Sequence, residues 1–347
     1  MNIIHNLPPN MERGKFKFVI IGALLLMIAS AVYFLNPRGL TKKNLAALPS
    51  FPSSCKTISY KNDPKKSLNI VFVGSGFEGD KESLKNVSEK MWSDMNSFSL
   101  YRQDLPINVF YSTVEFARSS FCKNNIPGIA PQFLICGPLR AKSLARVCPT
   151  SNQYIVVVHN SDDYAGAGLW NFKMATVSTH DFGSNIVAHE LGHAIFGFGD
   201  EYKETNNFYS FASNSSNCDT QGCPKWRDLI RQGAPNLNVG CIPNSCTGGK
   251  FFASGATIMK DMVSPFSATQ EREACCLFKS ISGNYPPTLC SKFENAGMGL
   301  DNFCSQSQRE ASKKKLFSNQ KFFFNLAERD WSIKSYQKTP AGTPMAI

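Results

Sequence analysis

All twelve cysteines of this 347-residue chain lie between Cys55 and Cys304, and that confinement limits the possible folds more than any other feature. An even cysteine count, placed wholly after an amino-terminal apolar run, points to an oxidised and cross-linked domain. The apolar run, Phe18–Leu35, reads FVIIGALLLMIASAVYFL and carries no charge over 18 residues. That reaches the roughly 17–25 residues of a membrane-spanning helix. It reads either as an uncleaved anchor or as a signal peptide with an A-x-A-like site at Ala29-Ser30-Ala31. The apolar residues continue through Phe34 and Leu35, which favours the anchor. Either way residues from 44 onward are expected outside the cytoplasm, anchored to the membrane or, after cleavage, secreted. Cys218/Cys223 and Cys241/Cys246 form two C-x4-C pairs, and Cys275-Cys276 is vicinal. Disulfides are preferred to a zinc ribbon, which more often uses C-x2-C and needs free thiols.

The net charge of +11 would suit a nucleic-acid partner if it were spread over the fold. It is not. Residues 1–66 hold ten Lys/Arg and two Asp/Glu, and residues 305–347 hold eight and three. Residues 67–304 hold 19 and 21, so the body is slightly acidic and no nucleic-acid partner is expected. Basic ends beside a membrane instead suit attraction to anionic lipid or wall polymer. The chain divides into a basic segment (1–17), the apolar segment (18–35), a Pro-rich linker (36–66), the body (67–304) and a basic tail (305–347).

Within the body, LNIVFVG from Leu68 and YIVVVHN (154–160) are short, apolar and β-branched, as buried strands are. Residues 80–98 carry Leu84, Val87, Met91, Met95 and Phe98 near helical spacing, and 107–116 reads as a strand. Residues 117–150 are expected to be irregular and disulfide-tied. KMATVST (173–179) is expected to be an edge strand, followed by a helix over Ser184–Phe196. This order predicts an α/β sheet with flanking helices. Residues 205–250, rich in Asn, Ser, Gly and Cys, predict an irregular cross-linked insertion. The tail contains KFFFNLAERDW, which could form a short amphipathic helix.

Chemistry concentrates in His189-Glu190-Leu191-Gly192-His193. On a helix, positions i and i+4 share a face, so both imidazoles aim at one point, and neutral imidazole is a good zinc ligand. Glu190 falls beside such an ion, where it can take a proton from a water activated by zinc. Val187, Leu191, Ala194, Ile195 and Phe198 form an apolar face that should anchor the helix. A third ligand is needed with one position left open. Gly197 and Gly199 should end the helix and turn the chain back. Asp200, seven residues after His193, is then the first choice, with Glu201 the alternate and Glu204 behind it. Glu271 and Glu273, in the context EREACC, are poor candidates for a ligand on a second helix.

The segment HELGHAIFGFGDEY resembles the extended zinc signature of the IgA peptidase family of zinc metallopeptidases. IVFVGSGF, YRQDLPINVFYSTVEF and VVVHNSDDYAGAG resemble that family's strands and its Tyr-Gly-rich loop, and SGATIMKDM its Met-containing segment. The resemblance implies a zincin-like mixed sheet of the α/β class, with an active-site HExxH helix and, in this chain, a disulfide-rich irregular insertion. It implies a zinc-dependent endopeptidase acting on protein or peptide substrate, with His189, His193 and Asp200 as ligands, Glu190 as base and Met259 in a turn below the metal. Tyr164, Gly166 and Gly168 are expected to line the cleft, and the KMATVST strand to pair with extended substrate. Tyr202 is a candidate donor to a transition-state oxyanion, while His159 and His180 read as structural. Two other functions fit the helix motif: a nonpeptidase zinc hydrolase of the cell-wall amidase type, and a noncatalytic binding module on a peptidase scaffold.

Overall fold

The computed structural model describes residues 54–115, 120–124, 133–163, 165–180, 185–202, 215–231, 237–246 and 250–314. Phe18–Leu35, KFFFNLAERDW, Tyr164 and Glu204 lie outside them. Among the described residues no helix is long and apolar enough to cross a membrane.

The centre is a six-stranded mixed sheet. In chain order its strands are β1 (Cys55–Ser59), β2 (Leu68–Ser75), β3 (Ile107–Ser112), β6 (Gln153–His159), β7 (Gly166–Leu169) and β8 (Met174–Ser178). They lie in the order β1-β3-β2-β6-β8-β7, with β3, β2, β6 and β8 parallel and the edges β1 and β7 antiparallel. The parallel strands are covered on both faces, which is why they read as unbroken apolar runs. Ile70, Phe72, Val156 and Val158 face one core; Val71, Val73, Ile155 and Val157 face the other. The first core is closed by α1 (Lys81–Met95) and, further along the chain, by α3 (Ile186–Phe196) and α6 (Ala268–Ser282). The second is closed by α2 (Pro138–Ala145) and a two-stranded ribbon, β4 (Cys122–Lys123) with β5 (Ile135–Cys136).

Three expectations are corrected here. The sheet begins inside the stretch assigned to the linker, because Cys55–Ser59 pairs with β3 and Cys55 is bonded to Cys148. The region 117–150 contains helix α2, started by Pro138, whose missing N–H costs nothing in a first helical turn. KMATVST is not the edge strand: β8 is flanked by β6 and β7, and the edge is the glycine-rich β7. After Leu169 the chain makes one tight turn at Trp170–Phe172, with Lys173 left-handed at φ 52°, and returns as β8.

All twelve cysteines are paired. The two C-x4-C pairs bond crosswise, Cys218 to Cys246 and Cys223 to Cys241. The insertion they tie also holds α4 (Arg227–Arg231) and a hairpin of β9 (Ile242–Cys246) with β10 (Lys250–Phe252). A small core forms there around Trp226, whose indole N–H donates to the Gly240 carbonyl at 2.8 Å. Each cross-link is worth about 2–4 kcal/mol, which stabilises loops that bury little apolar surface. The insertion is bound to α6 through Arg272, fully buried and paired with Asp228 at 2.7 Å. The chain continues through α5 (Ile258–Asp261) before α6, and through α7 (Pro287–Cys290) and α8 (Leu300–Lys314) after it. Cys276–Cys304 fixes α8 to α6, so the helix crosses the boundary set at 304 between body and tail.

Candidate metal centre

The motif helix is α3, and its sequence explains both its burial and its end. Val187, Leu191, Ala194 and Ile195 are buried in the main core, as the apolar face required. The helix stops at Gly197, which is left-handed at φ 67° and donates back to the His193 carbonyl at 3.0 Å. An L side chain is strained there, so this glycine is what turns the chain back under the imidazoles.

The turn delivers Asp200 to the expected place. Asp200 Oδ1 lies 3.2 Å from His189 Nε2 and 3.2 Å from His193 Nε2, and the two Nε2 atoms are 3.1 Å apart. Each ring is fixed by its other nitrogen. His189 Nδ1 faces the Ile258 carbonyl at 2.8 Å, and His193 Nδ1 faces the Phe198 carbonyl at 2.6 Å. A carbonyl only accepts, so both Nδ1 atoms carry a proton, and with a cation bound both Nε2 atoms can turn lone pairs to it. Two lone pairs and a carboxylate oxygen at such distances repel unless a cation lies among them. Tetrahedral coordination with bonds of about 2.0 Å needs donor separations of about 3.3 Å, and the observed triangle is within a few tenths of that. The residues therefore fit a metal ion.

The electrostatics agree. Burial opposes a charged imidazole at His193, but the Asp200 carboxylate outweighs it and lifts His193 to about 9. Burial would also raise Asp200, yet the two imidazoles hold it well below the usual carboxylate range. Both shifts express a site that favours positive charge at its centre.

Glu190 stands beside this triangle. Its carboxylate offers an oxygen within 4.8 Å of the histidine donors. Burial pushes its carboxyl up from the ordinary value, while the imidazoles and the Gly168 N–H pull it back. The edge strand β7 crosses α3 at this point. A side chain on Gly168 would overlap the Glu190 carbonyl and the His193 Cβ, and one on Gly166 would come within 2.8 Å of Glu190 Oε1. Gly166 thus lies against the Glu190 side chain and Gly168 against the Glu190 backbone and His193. Gly168→Ala is expected to cost about 1–3 kcal/mol of stability and, by shifting Glu190 and His193, about 100-fold in peptide cleavage. Urea unfolding and kcat/KM on one peptide would check this; wild-type values for both would contradict the close approach.

Met259, fully buried, lies beneath the helix, its sulfur 2.8 Å from where a Cβ on Gly192 would stand. The resemblance expects it in a turn below the metal; here it stands in α5 (Ile258–Asp261), against Gly192. Glu201 turns the other way from Asp200: it accepts from Asn217 Nδ2 at 2.9 Å, from Gln270 Nε2 at 3.1 Å and from the Thr257 hydroxyl. Burial raises Glu201 to about 7 against those hydrogen bonds. Tyr202 follows two residues after Asp200 and is half-buried. Glu271 pairs with Lys292 and Glu273 accepts from Ser307, so neither faces the imidazoles. His159 sits by Ser75 and Ser120, and His180 is exposed. Sequence reasoning missed Asn217, Thr257, Gln270 and the two ring-orienting carbonyls.

Residues 132–238, which include all four of His189, Glu190, His193 and Asp200, match the IgA Peptidase M64 family. The match covers about a third of the chain, and over that stretch the chain is similar to this family of peptidases. Among solved structures it is similar to a zinc-dependent peptidase from Methanocorpusculum labreanum (strain Z), with 17% identity over 38% of this chain and 82% of that one, at a TM-score of 0.23. No curated protein matches the sequence. The matched segment runs from β5 through α3 into the insertion, so it spans the edge strand, the motif helix and the turn that carries Asp200.

Proposed function

We propose that this chain is an endopeptidase held outside the cytoplasm by its amino-terminal segment, with zinc bound by His189, His193 and Asp200 and with Glu190 as general base. The observation that carries the reading is the meeting of His189 Nε2, His193 Nε2 and Asp200 Oδ1 within 3.2 Å, with the Glu190 carboxylate alongside. When bound there, zinc supplies a Lewis acid that polarises a carbonyl and brings the pKa of a coordinated water from 15.7 to about 7. Glu190 takes the proton from the attacking water at its carboxylate and returns it to the leaving amine. Its partly desolvated position keeps the carboxyl closer to neutral pH than an exposed glutamate, which suits both transfers. The β7 edge receives the substrate as an added antiparallel strand. Ser178 N–H donates to the Ala165 carbonyl at 3.0 Å, so by alternation Gly166 and Gly168 direct their backbone groups away from β8; the Gly166 carbonyl accepts there from Leu134 N–H at 3.3 Å, which leaves the Gly168 end of the edge to substrate. The twelve paired cysteines suit an oxidising compartment, and Phe18–Leu35 is the candidate tether.

The test uses the full-length oxidised protein. One zinc per chain is expected, with cleavage of a mixed peptide library removed by a chelator and restored by one equivalent of zinc. Zinc well below one per chain, or cleavage indifferent to the chelator, overturns the centre. A chain lacking residues 1–35 that still sediments with membranes would overturn the tether alone.

A further inference from the structure

We propose that Asn217, carried by the disulfide-tied insertion, is a positioning residue that clasps the ligand turn and sets the geometry of the metal centre. The inference rests on the reading that His189, His193 and Asp200 hold zinc.

The turn 198–201 has no regular secondary structure, so each of its buried backbone groups needs a partner from elsewhere. The Phe198 carbonyl is used to orient His193. Glu201 N–H donates to the Met259 carbonyl at 2.9 Å. Between them, Gly199 receives both partners from one side chain. Asn217 Oδ1 accepts from Gly199 N–H at 2.7 Å, and Asn217 Nδ2 donates to the Gly199 carbonyl at 2.8 Å. The same Nδ2 donates to Glu201 Oε1 at 2.9 Å. The amide therefore spans Asp200, gripping the residue before it through the backbone and the residue after it through the side chain. Asn217 is 1% exposed, so in the folded protein bulk water does not compete for these bonds. Aspartate has the acceptor but lacks the donor, and alanine has neither.

The clasp closes a circuit around the centre. From Glu201 it runs to Thr257, whose neighbour Ile258 offers the carbonyl that orients His189. From Gly199 it runs through Phe198 to His193. Both imidazoles are thus held on their far side by carbonyls tied to Asn217, that of Phe198 through Gly199 and that of Ile258 through Glu201 and Thr257, while Asp200 lies between the two residues that the amide grips. The insertion fixes the clasp in turn, because Cys218, the next residue, is bonded to Cys246. A cysteine-rich insertion remote in sequence from the motif helix is then a part of the site's scaffold. Partners of this kind orient metal ligands, and their loss weakens metal binding by roughly 10–100-fold.

The experiment compares wild type, Asn217→Ala and Asn217→Asp as full-length oxidised proteins. It reads the zinc Kd by competition with a chromogenic chelator, the melting temperature of the zinc-free form, and free thiols as a check on the disulfides. Zinc binding is expected to weaken by about 10-fold or more in both variants. Adding Glu201→Gln to Asn217→Asp should recover part of that loss, since the amide and the carboxylate have exchanged places. If Asn217→Ala does not fold, Asn217→Asp, which keeps the Gly199 N–H acceptor, carries the test. A zinc Kd within twofold of wild type, with or without a lower melting temperature, assigns Asn217 to fold stability only and overturns the inference. Wild-type protein that binds no zinc would instead overturn the metal centre itself.

Discussion

Glu190→Ala is expected to keep one zinc per chain and to lower peptide cleavage by about 10²–10⁴-fold, the usual contribution of a positioned general base. The two halves of that result have separate causes. Zinc is retained because the donor triangle of His189, His193 and Asp200 does not use the Glu190 carboxylate. Cleavage falls because the group proposed to accept and return the proton is gone. Glu190→Gln should behave alike, since an amide fills the same space without accepting a proton at neutral pH. Loss of zinc in either variant would make Glu190 a ligand, and unchanged cleavage would remove it from the reaction.

The second large effect separates two adjacent carboxylates. Asp200→Ala should leave zinc far below one per chain, because Oδ1 is the atom that meets both imidazoles. Glu201→Ala should still fill with one zinc when the ion is in excess. Its cost is to stability, about 1–3 kcal/mol for each buried partner left unsatisfied, since Asn217, Gln270 and Thr257 all bond to that side chain. If zinc is lost from Glu201→Ala and kept by Asp200→Ala, the assignment is reversed. Zinc per chain by elemental analysis, beside urea unfolding of both variants, reads the two outcomes.

The contrast between these residues also marks what the sequence could show. His189, Glu190, His193, Gly197 and Asp200 lie within twelve consecutive residues, and helix geometry with one left-handed glycine brings them together. Local rules suffice there. Asp200 could be preferred to Glu201 but not decided, because the deciding contacts come from Asn217, Thr257 and Gln270, up to 69 positions away. Nothing in an Asn beside a Cys marks it as a clasp. The edge strand failed for a different reason. Gly166-Ala167-Gly168-Leu169 has low β propensity, and its glycines are there because α3 passes too close for side chains; the more β-branched MATVS took its place in the reading. β1 was missed because its strand character depends on pairing with β3 and on a disulfide 93 residues away. Disulfide connectivity was open for the same reason: twelve cysteines in an oxidised chain say that bonds form, but the fold decides which.

X-ray absorption at the zinc edge, on full-length oxidised protein, tests the central claim most directly. The account predicts one zinc per chain bound by two imidazole nitrogens and oxygen at about 2.0–2.2 Å, with no sulfur, since every cysteine is in a disulfide. A sulfur shell at about 2.3 Å, or an imidazole count unaffected by His193→Ala, would contradict it.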